Sequence, residues 1–255
     1  MSPRPMTGRR MVVVGASAGI GRSVATHAVA LGAEVVFCGR RVARLDEAIA
    51  AAGGGTAFAA DVTDPQQCAD LVDAAVARLG QVDVLVYAAG ASRLHRIEHT
   101  TAADWDRVLQ TNVIAPALIS GRLLAHSPDR SIMAFLSSVV VGRPYEGLVP
   151  YAASKAALEE MVRGLRTEHP EHRFMIVNLG GTAGTEFTRD YDPKLARALF
   201  PRWTAAGVLP SNSMVLDHVG GLIADNLAAL LAAPDLDCHD IVLRPSGPSL
   251  TARPS

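Results

Sequence analysis

In a chain of 255 residues whose basic side chains are almost all arginine, only Lys155 and Lys194 are lysine. One of these two stands in Tyr151-Ala152-Ala153-Ser154-Lys155. On a helix that spacing puts a phenol and an ammonium on one face, a turn apart. A neighbouring ammonium stabilises phenolate and lowers the tyrosine pKa, which suits proton exchange near neutrality. Chance supplies such a pair in roughly 3% of shuffled chains of this composition, so chemistry is favoured over surface decoration. Upstream, Ser137-Ser138 closes an apolar run and offers a hydroxyl to a substrate oxygen. Asn112 sits inside a helix-length segment where asparagine is a mediocre helix former, and Pro116 follows it. A kink or a polar role rationalises both.

A second cluster lies near the amino end. Val12-Val13-Val14-Gly15-Ala16-Ser17-Ala18-Gly19-Ile20-Gly21 places glycines between a β-rich run and a helix-length segment. Glycine lets the backbone turn sharply and approach a pyrophosphate, and the following helix aims its free N–H groups at the anion. Roughly 20 residues on, an acidic side chain would bind a ribose 2′-hydroxyl. Here Gly39-Arg40-Arg41 stands instead, and two guanidinium groups can grip a 2′-phosphate. NADP(H) is therefore favoured over NAD(H); the plainer alternative is that both arginines solvate the start of a helix. Asp61-Val62 closes the third β-rich run, where a carboxylate can accept from an adenine amino group. N-capping of the next helix by Asp61 is almost as plausible, although Asp64 can fill that role.

These residues need a scaffold. Met11–Val14, Glu34–Cys38, Thr56–Ala60, Val82–Tyr87, Ser131–Ser137, Arg173–Leu179 and His239–Leu243 read as strands, several nearly continuous in Val, Ile and Leu. Ile20–Leu31, Val42–Ala52, Pro65–Leu79, Thr101–Ala125, Tyr151–Glu168 and Ser213–Ala233 read as helices between them. Such alternation predicts a parallel sheet of about seven strands with helices on both faces. No repeat or linker interrupts it, so residues 1–255 are expected to form a single domain. Gly180–Asn212, rich in glycine and proline, reads as an irregular excursion after the sixth strand, with 186–212 as a substrate lid. The tail from about residue 245 is expected to fray.

Composition narrows the function. With 24 basic and 25 acidic side chains the net charge is −1, too little positive charge for a nucleic-acid or anionic-membrane partner. No apolar run approaches the roughly 18–20 residues of a bilayer span. Cys38, Cys68 and Cys238 are odd in number and far apart, which points to free thiols in a reducing cytoplasm. Arg9-Arg10 before an apolar stretch mimics a signal peptide, but the glycine pattern explains that stretch better.

Taken in order, Gly15–Gly21, Asp61-Val62, Ala89-Gly90, Asn112-Val113, Ser137-Ser138 and Tyr151–Lys155 make the chain resemble the short-chain dehydrogenase/reductase family from about Arg10 to Phe187. The resemblance implies a doubly wound, Rossmann-type α/β fold. It also implies a catalytic tetrad of Asn112, Ser138, Tyr151 and Lys155. Tyr151 would exchange a proton with the substrate oxygen and Ser138 would position it. Lys155 would hold the nicotinamide ribose, and Asn112 would support a proton relay. Gly15, Ser17, Gly19, Ile20, Gly21, Arg40, Arg41, Asp61, Val62, Ala89, Gly90 and Thr185, with Tyr151 and Lys155, would bind the cofactor. The substrate would be a small carbonyl or alcohol. A homodimer or homotetramer would form through Thr101–Ala125 and Tyr151–Glu168. Val14, Ala88 and Leu179-Gly180-Gly181 depart from the family pattern, and Thr185 stands one residue late.

Three rivals are weaker. His95-Arg96-Ile97-Glu98-His99 matches a zinc-peptidase pattern, but it precedes the N-cap signal Thr100-Thr101 and reads as loop, so no metal is expected. His169-Pro170-Glu171-His172 likewise straddles a proline turn. A hydrolase built on Ser138 lacks the Gly-x-Ser-x-Gly elbow. The remaining alternative is a catalytically silent dinucleotide sensor on the same fold.

Overall fold

Seven runs rich in β-branched and other apolar side chains hydrogen-bond into one parallel sheet. In chain order they are β1 (Arg10–Val14), β2 (Glu34–Gly39), β3 (Thr56–Ala59), β4 (Val84–Tyr87), β5 (Ile132–Ser138), β6 (Arg173–Leu179) and β9 (Asp240–Leu243). Two-residue strands β7 (Thr182–Ala183) and β8 (Met214–Val215) pair separately, also in parallel. The computed structural model describes residues 4–246; the expected fraying of the tail lies largely outside them. All seven strands expected from the sequence are present, shifted by no more than two residues at either end.

Side chains alternate across the pleat, and both sides are covered. Val13, Val86, Ala134 and Val177 face one core, filled by α1 (Gly19–Ala30), α2 (Val42–Ala52) and α8 (Leu216–Ala232). Val12, Leu85, Phe135 and Ile176 face the other, filled by α3 (Pro65–Leu79), α5 (Ala115–Leu124) and α6 (Val149–Glu168). Each large apolar side chain fully buried there contributes roughly 1.5–3 kcal/mol. The strand order is β3-β2-β1-β4-β5-β6-β9. The direction of winding therefore reverses between β1 and β4, and a crevice opens beyond the carboxyl ends of those strands.

Two parts of the helical prediction change. The segment read as one helix, Thr101–Ala125, begins as α4 (Ala102–Leu109), passes through a π-helical turn at Gln110–Ile114 and continues as α5. Thr101 and Asp104 form a capping box at its start. The irregularity expected around Asn112 is this wide turn. The second change is a correction. Gly180–Asn212 is not an irregular excursion, because it contains α7 (Pro193–Ala205). Pro193 sits in the first helical turn, where its missing N–H costs nothing, and Asp192 caps the helix by accepting from the Lys194 and Leu195 amides. What reads as a breaker is a start signal. Leu199 and Trp203 bury the inner face of α7 in a third apolar cluster, above the sheet's carboxyl edge, with Leu94, Tyr145 and Leu148.

Candidate active site

The crevice at the switch point encloses about 840 Å³. Every candidate residue named from the sequence lines it except Gly21 and Asn112, which lie just behind its wall.

At one end the glycines divide the work. Gly15 has φ +91°, and a Cβ there would stand 2.6 Å from the Ala89 amide nitrogen. A Cβ on Gly21 would stand 2.5 Å from the Gly15 carbonyl oxygen, so this glycine lets α1 close onto β1. Gly19, at φ +59°, meets nothing within 4 Å and leaves open space. The N-cap of α1 is Ala18, which supplies no side-chain hydrogen bond. No side chain competes there for an anion at the helix start. An open cradle, an uncapped helix and a crevice of this volume fit a dinucleotide.

The corner beyond β2 differs from its sequence reading. Neither arginine is free. Arg40 Nη1 lies 3.7 Å from Asp61 Oδ2. Asp61 is itself held by the Thr63 amide (3.0 Å) and hydroxyl (2.8 Å). Asp64 caps α3, which removes capping as the reason for Asp61. Arg41 makes a two-pronged pair with Glu186: Nη1 donates to Oε1 at 2.9 Å, and Nη2 lies 2.8 Å from Oε2. Arg41 Nη2 also donates to Ser17 Oγ at 3.2 Å. The hydrogen bond from Arg41 holds the Glu186 carboxyl below its ordinary range. No local pattern announces Glu186 as a partner, because it comes from the segment after β7.

At the other end, α6 presents Tyr151 and Lys155 to the crevice, and Ser138 ends β5 beside them. Burial pushes the Tyr151 phenol up to about 12, against the pull of its hydrogen bond with Ser138. The downward shift expected from the sequence is therefore not found: removal from water dominates, and the Lys155 ammonium stands 5.9 Å from the ring centroid. Burial also lowers Lys155 to about 8, with Glu159 opposing. Lys155 Nζ donates to the Leu136 carbonyl at 2.7 Å.

Asn112 acts as a clamp. Its Oδ1 accepts from the Ala91 amide (2.8 Å), while Nδ2 donates to the Ala91 carbonyl and to Ser154 Oγ, both at 2.9 Å. It thus ties the loop after β4 to α6. Behind Ser138 lies a group that sequence reasoning missed: Ser137 Oγ donates to the buried Glu159 carboxylate at 2.7 Å. Asn178, with its amide nitrogen turned to the acceptors, donates to Glu159 (2.9 Å) and to the Ser138 carbonyl (3.2 Å). The Lys155-to-Glu159 spacing is one further helical turn, which is the signal that was available.

Thr185 lines the crevice but donates its hydroxyl to the Thr182 carbonyl at 3.3 Å. Phe187 packs edge-on against Tyr151 with ring centroids 5.0 Å apart, and against Tyr191 at 5.6 Å. Of the His95–His99 motif, Ile97–His99 forms a 3₁₀ turn and His95 Nδ1 lies 3.3 Å from Asp104. Among the described residues no cluster of three or more His, Cys, Asp or Glu side chains is placed to hold a metal ion. No helix of those residues is long and apolar enough to cross a membrane.

A glycine turn at the switch point of a parallel sheet, facing a Tyr-Lys pair on a crossover helix, defines a dinucleotide-binding α/β protein. Residues 9–196 match the profile for short chain dehydrogenases, and the chain belongs to the short-chain dehydrogenase/reductase family. It is similar to gluconate 5-dehydrogenase of Gluconobacter oxydans, 34% identical over 190 residues that cover 72% of this chain and 74% of the relative. Among solved structures it resembles a short chain dehydrogenase from Burkholderia cenocepacia in complex with NADP. That likeness has TM-score 0.82 and 25% identity, and covers 94% of this chain and 97% of the other. A dehydrogenase/reductase from Sinorhizobium meliloti is similar with TM-score 0.78 and 26% identity, over 93% of this chain and 94% of its own.

Proposed function

We propose that the chain is an oxidoreductase moving a hydride between NADP(H) and a small carbonyl/alcohol pair. The carrying observation is that Tyr151, Ser138 and Lys155 open into the same crevice as the glycine turn. When bound, the nicotinamide supplies or accepts the hydride. In reduction, Tyr151 gives its proton to the developing alkoxide. The raised phenol pKa keeps that proton in place near neutrality. Ser138 orients the substrate oxygen by hydrogen bonding. Lys155, when protonated, stabilises the phenolate left behind. Asn112 acts as a positioning residue, holding α6 against the loop after β4.

For the cofactor's far end, Arg40 and Arg41 converge at the end of β2. A 2′-phosphate carries nearly two negative charges and replaces a single carboxylate with gain. Glu186 is the partner that gives way, since Asp61 is fixed by Thr63. The Burkholderia likeness supports NADP as the cofactor. Ala89, Gly90, Val62 and Ile20 supply walls for the nucleotide, and Thr185 meets the nicotinamide side. The chain works as one domain, with 186–212 closing over substrate. Exposed Ile114, Leu118 and Val149, on the π turn, α5 and α6, support assembly into a dimer or tetramer through those helices.

The test is fluorescence titration with NADPH and NADH, followed by 340 nm assays on a ketone panel. Arg40→Ala combined with Arg41→Ala is expected to weaken NADPH roughly tenfold or more while leaving NADH nearly unchanged. Equal loss for both refutes the cofactor assignment. Tight binding without turnover of any ketone identifies the silent sensor instead.

A further inference from the structure

The end of the crevice beyond Tyr151 has a character of its own. Its walls are Leu148, Phe187, Tyr191, Phe200 and Trp203. Their polar tips are already paired. Tyr191 OH is paired with Ser92 Oγ at 2.7 Å, and Trp203 Nε1 donates to the Glu146 carbonyl at 3.1 Å. What these five side chains offer a ligand is mainly carbon and ring surface, while Ser92, Gln110 and Thr188 add polar groups to the same lining. Phe187, the most open of these side chains at 40% exposure, stands at the entrance with its edge contact to Tyr151.

The cations at this end are engaged. Arg107 lies 3.6 Å from Asp190, and Arg189 pairs with Glu186 at 2.9 Å and with Asp190 at 3.3 Å. Among the described residues, no cation lining this end stands without a partner. Asp106 adds a further carboxylate to the same wall. A carboxylate-bearing substrate gains little here: at Arg107 it exchanges one carboxylate for another, beside the charge of Asp106. A polyol fares no better, since most of its hydroxyls lose water against the aromatic walls and only Ser92, Gln110 and Thr188 offer hydrogen bonds in return. The 2′-phosphate corner is different, because two guanidinium groups meet a near-dianion there.

We infer that the substrate is a neutral, apolar carbonyl compound or secondary alcohol, preferably aromatic, seated between Phe187, Tyr191 and Trp203, and not a sugar acid. This rests on the oxidoreductase reading above and separates the chain from the substrate named for its Gluconobacter relative.

The experiment compares 1-phenylethanol with gluconate as hydride donors to NADP⁺. It uses the intact protein and its Phe187→Ala and Phe187→Leu variants. Saturation-transfer NMR measures binding of both probes directly, without turnover. The expected result is kcat/KM at least roughly a hundredfold higher for 1-phenylethanol. Phe187→Ala should raise its KM about tenfold, with a smaller change in kcat, and Phe187→Leu should restore part of the loss. Comparable or better use of gluconate overturns the inference, and so does an unchanged KM in Phe187→Ala. Failure to bind either nicotinamide cofactor instead defeats the oxidoreductase reading, while the NMR arm still decides whether the aromatic slot prefers the apolar probe.

Discussion

The two ends of the crevice are built on opposite principles. At the glycine turn the constraint is close approach of backbone: Gly15 abuts the chain after β4, Gly21 abuts Gly15, and neither has room for a methyl group. Beyond Tyr151 the surface is made of side chains drawn from the β5–α6 connection, from α7 and from the loop between β7 and α7. A backbone cradle serves any dinucleotide and tolerates little change. An aromatic slot assembled from separate segments can be altered one residue at a time, which is how one scaffold comes to serve many substrates.

That contrast can be broken by mutation. Tyr151→Phe removes the proposed proton donor from the point where the two ends meet; turnover is expected to fall by roughly two to four orders of magnitude with NADPH binding nearly intact. Steady-state kinetics beside a binding titration checks this, and unchanged turnover sinks the assignment. Gly21→Ala tests the cradle: its Cβ meets backbone, and a loss of roughly 1–3 kcal/mol in denaturant-measured stability is expected. A neutral outcome would mean that the strand–helix contact is loose.

The pH profile probes the proposed pairing of Tyr151 with Lys155. Lys155 is held near 8, below its ordinary value, so its charge disappears as pH rises through that value. Carbonyl reduction should then decline above about pH 8, because the phenolate left on Tyr151 loses its neighbouring cation. The same depression means that the folded state binds Lys155's proton less readily than the unfolded chain. Lys155's contribution to stability therefore rises with pH between about 8 and the ordinary lysine range. The smallest expected effect sharpens the cofactor corner. Glu186→Gln frees Arg41 from a half-exposed ion pair and should tighten NADPH only about two- to fivefold, with NADH unaffected. Weaker NADPH binding would show that Glu186 straps the cofactor down instead of competing with it.

Much of this molecule is written locally. Strand runs covered on both faces must be nearly continuously apolar, and the five inner strands β2, β1, β4, β5 and β6 are recognisable for that reason. The glycine spacing and the Tyr151–Lys155 turn are short-range patterns whose geometry follows from one strand and one helix. Pro193 misled because its meaning depends on whether the chain before it is capped, and Asp192 supplies that cap from the adjacent position.

Other properties belong to the assembled fold. Arg41 is paired because Glu186, 145 residues away, is brought over the crevice. The phenol of Tyr151 is raised, not lowered, because the fold strips it of water more effectively than its hydrogen bond with Ser138 can compensate. Spacing along a chain specifies which groups can meet on one element. Dielectric surroundings and charge partners arise from everything packed around that element, and they exist only once the segments after β6 have closed over the sheet.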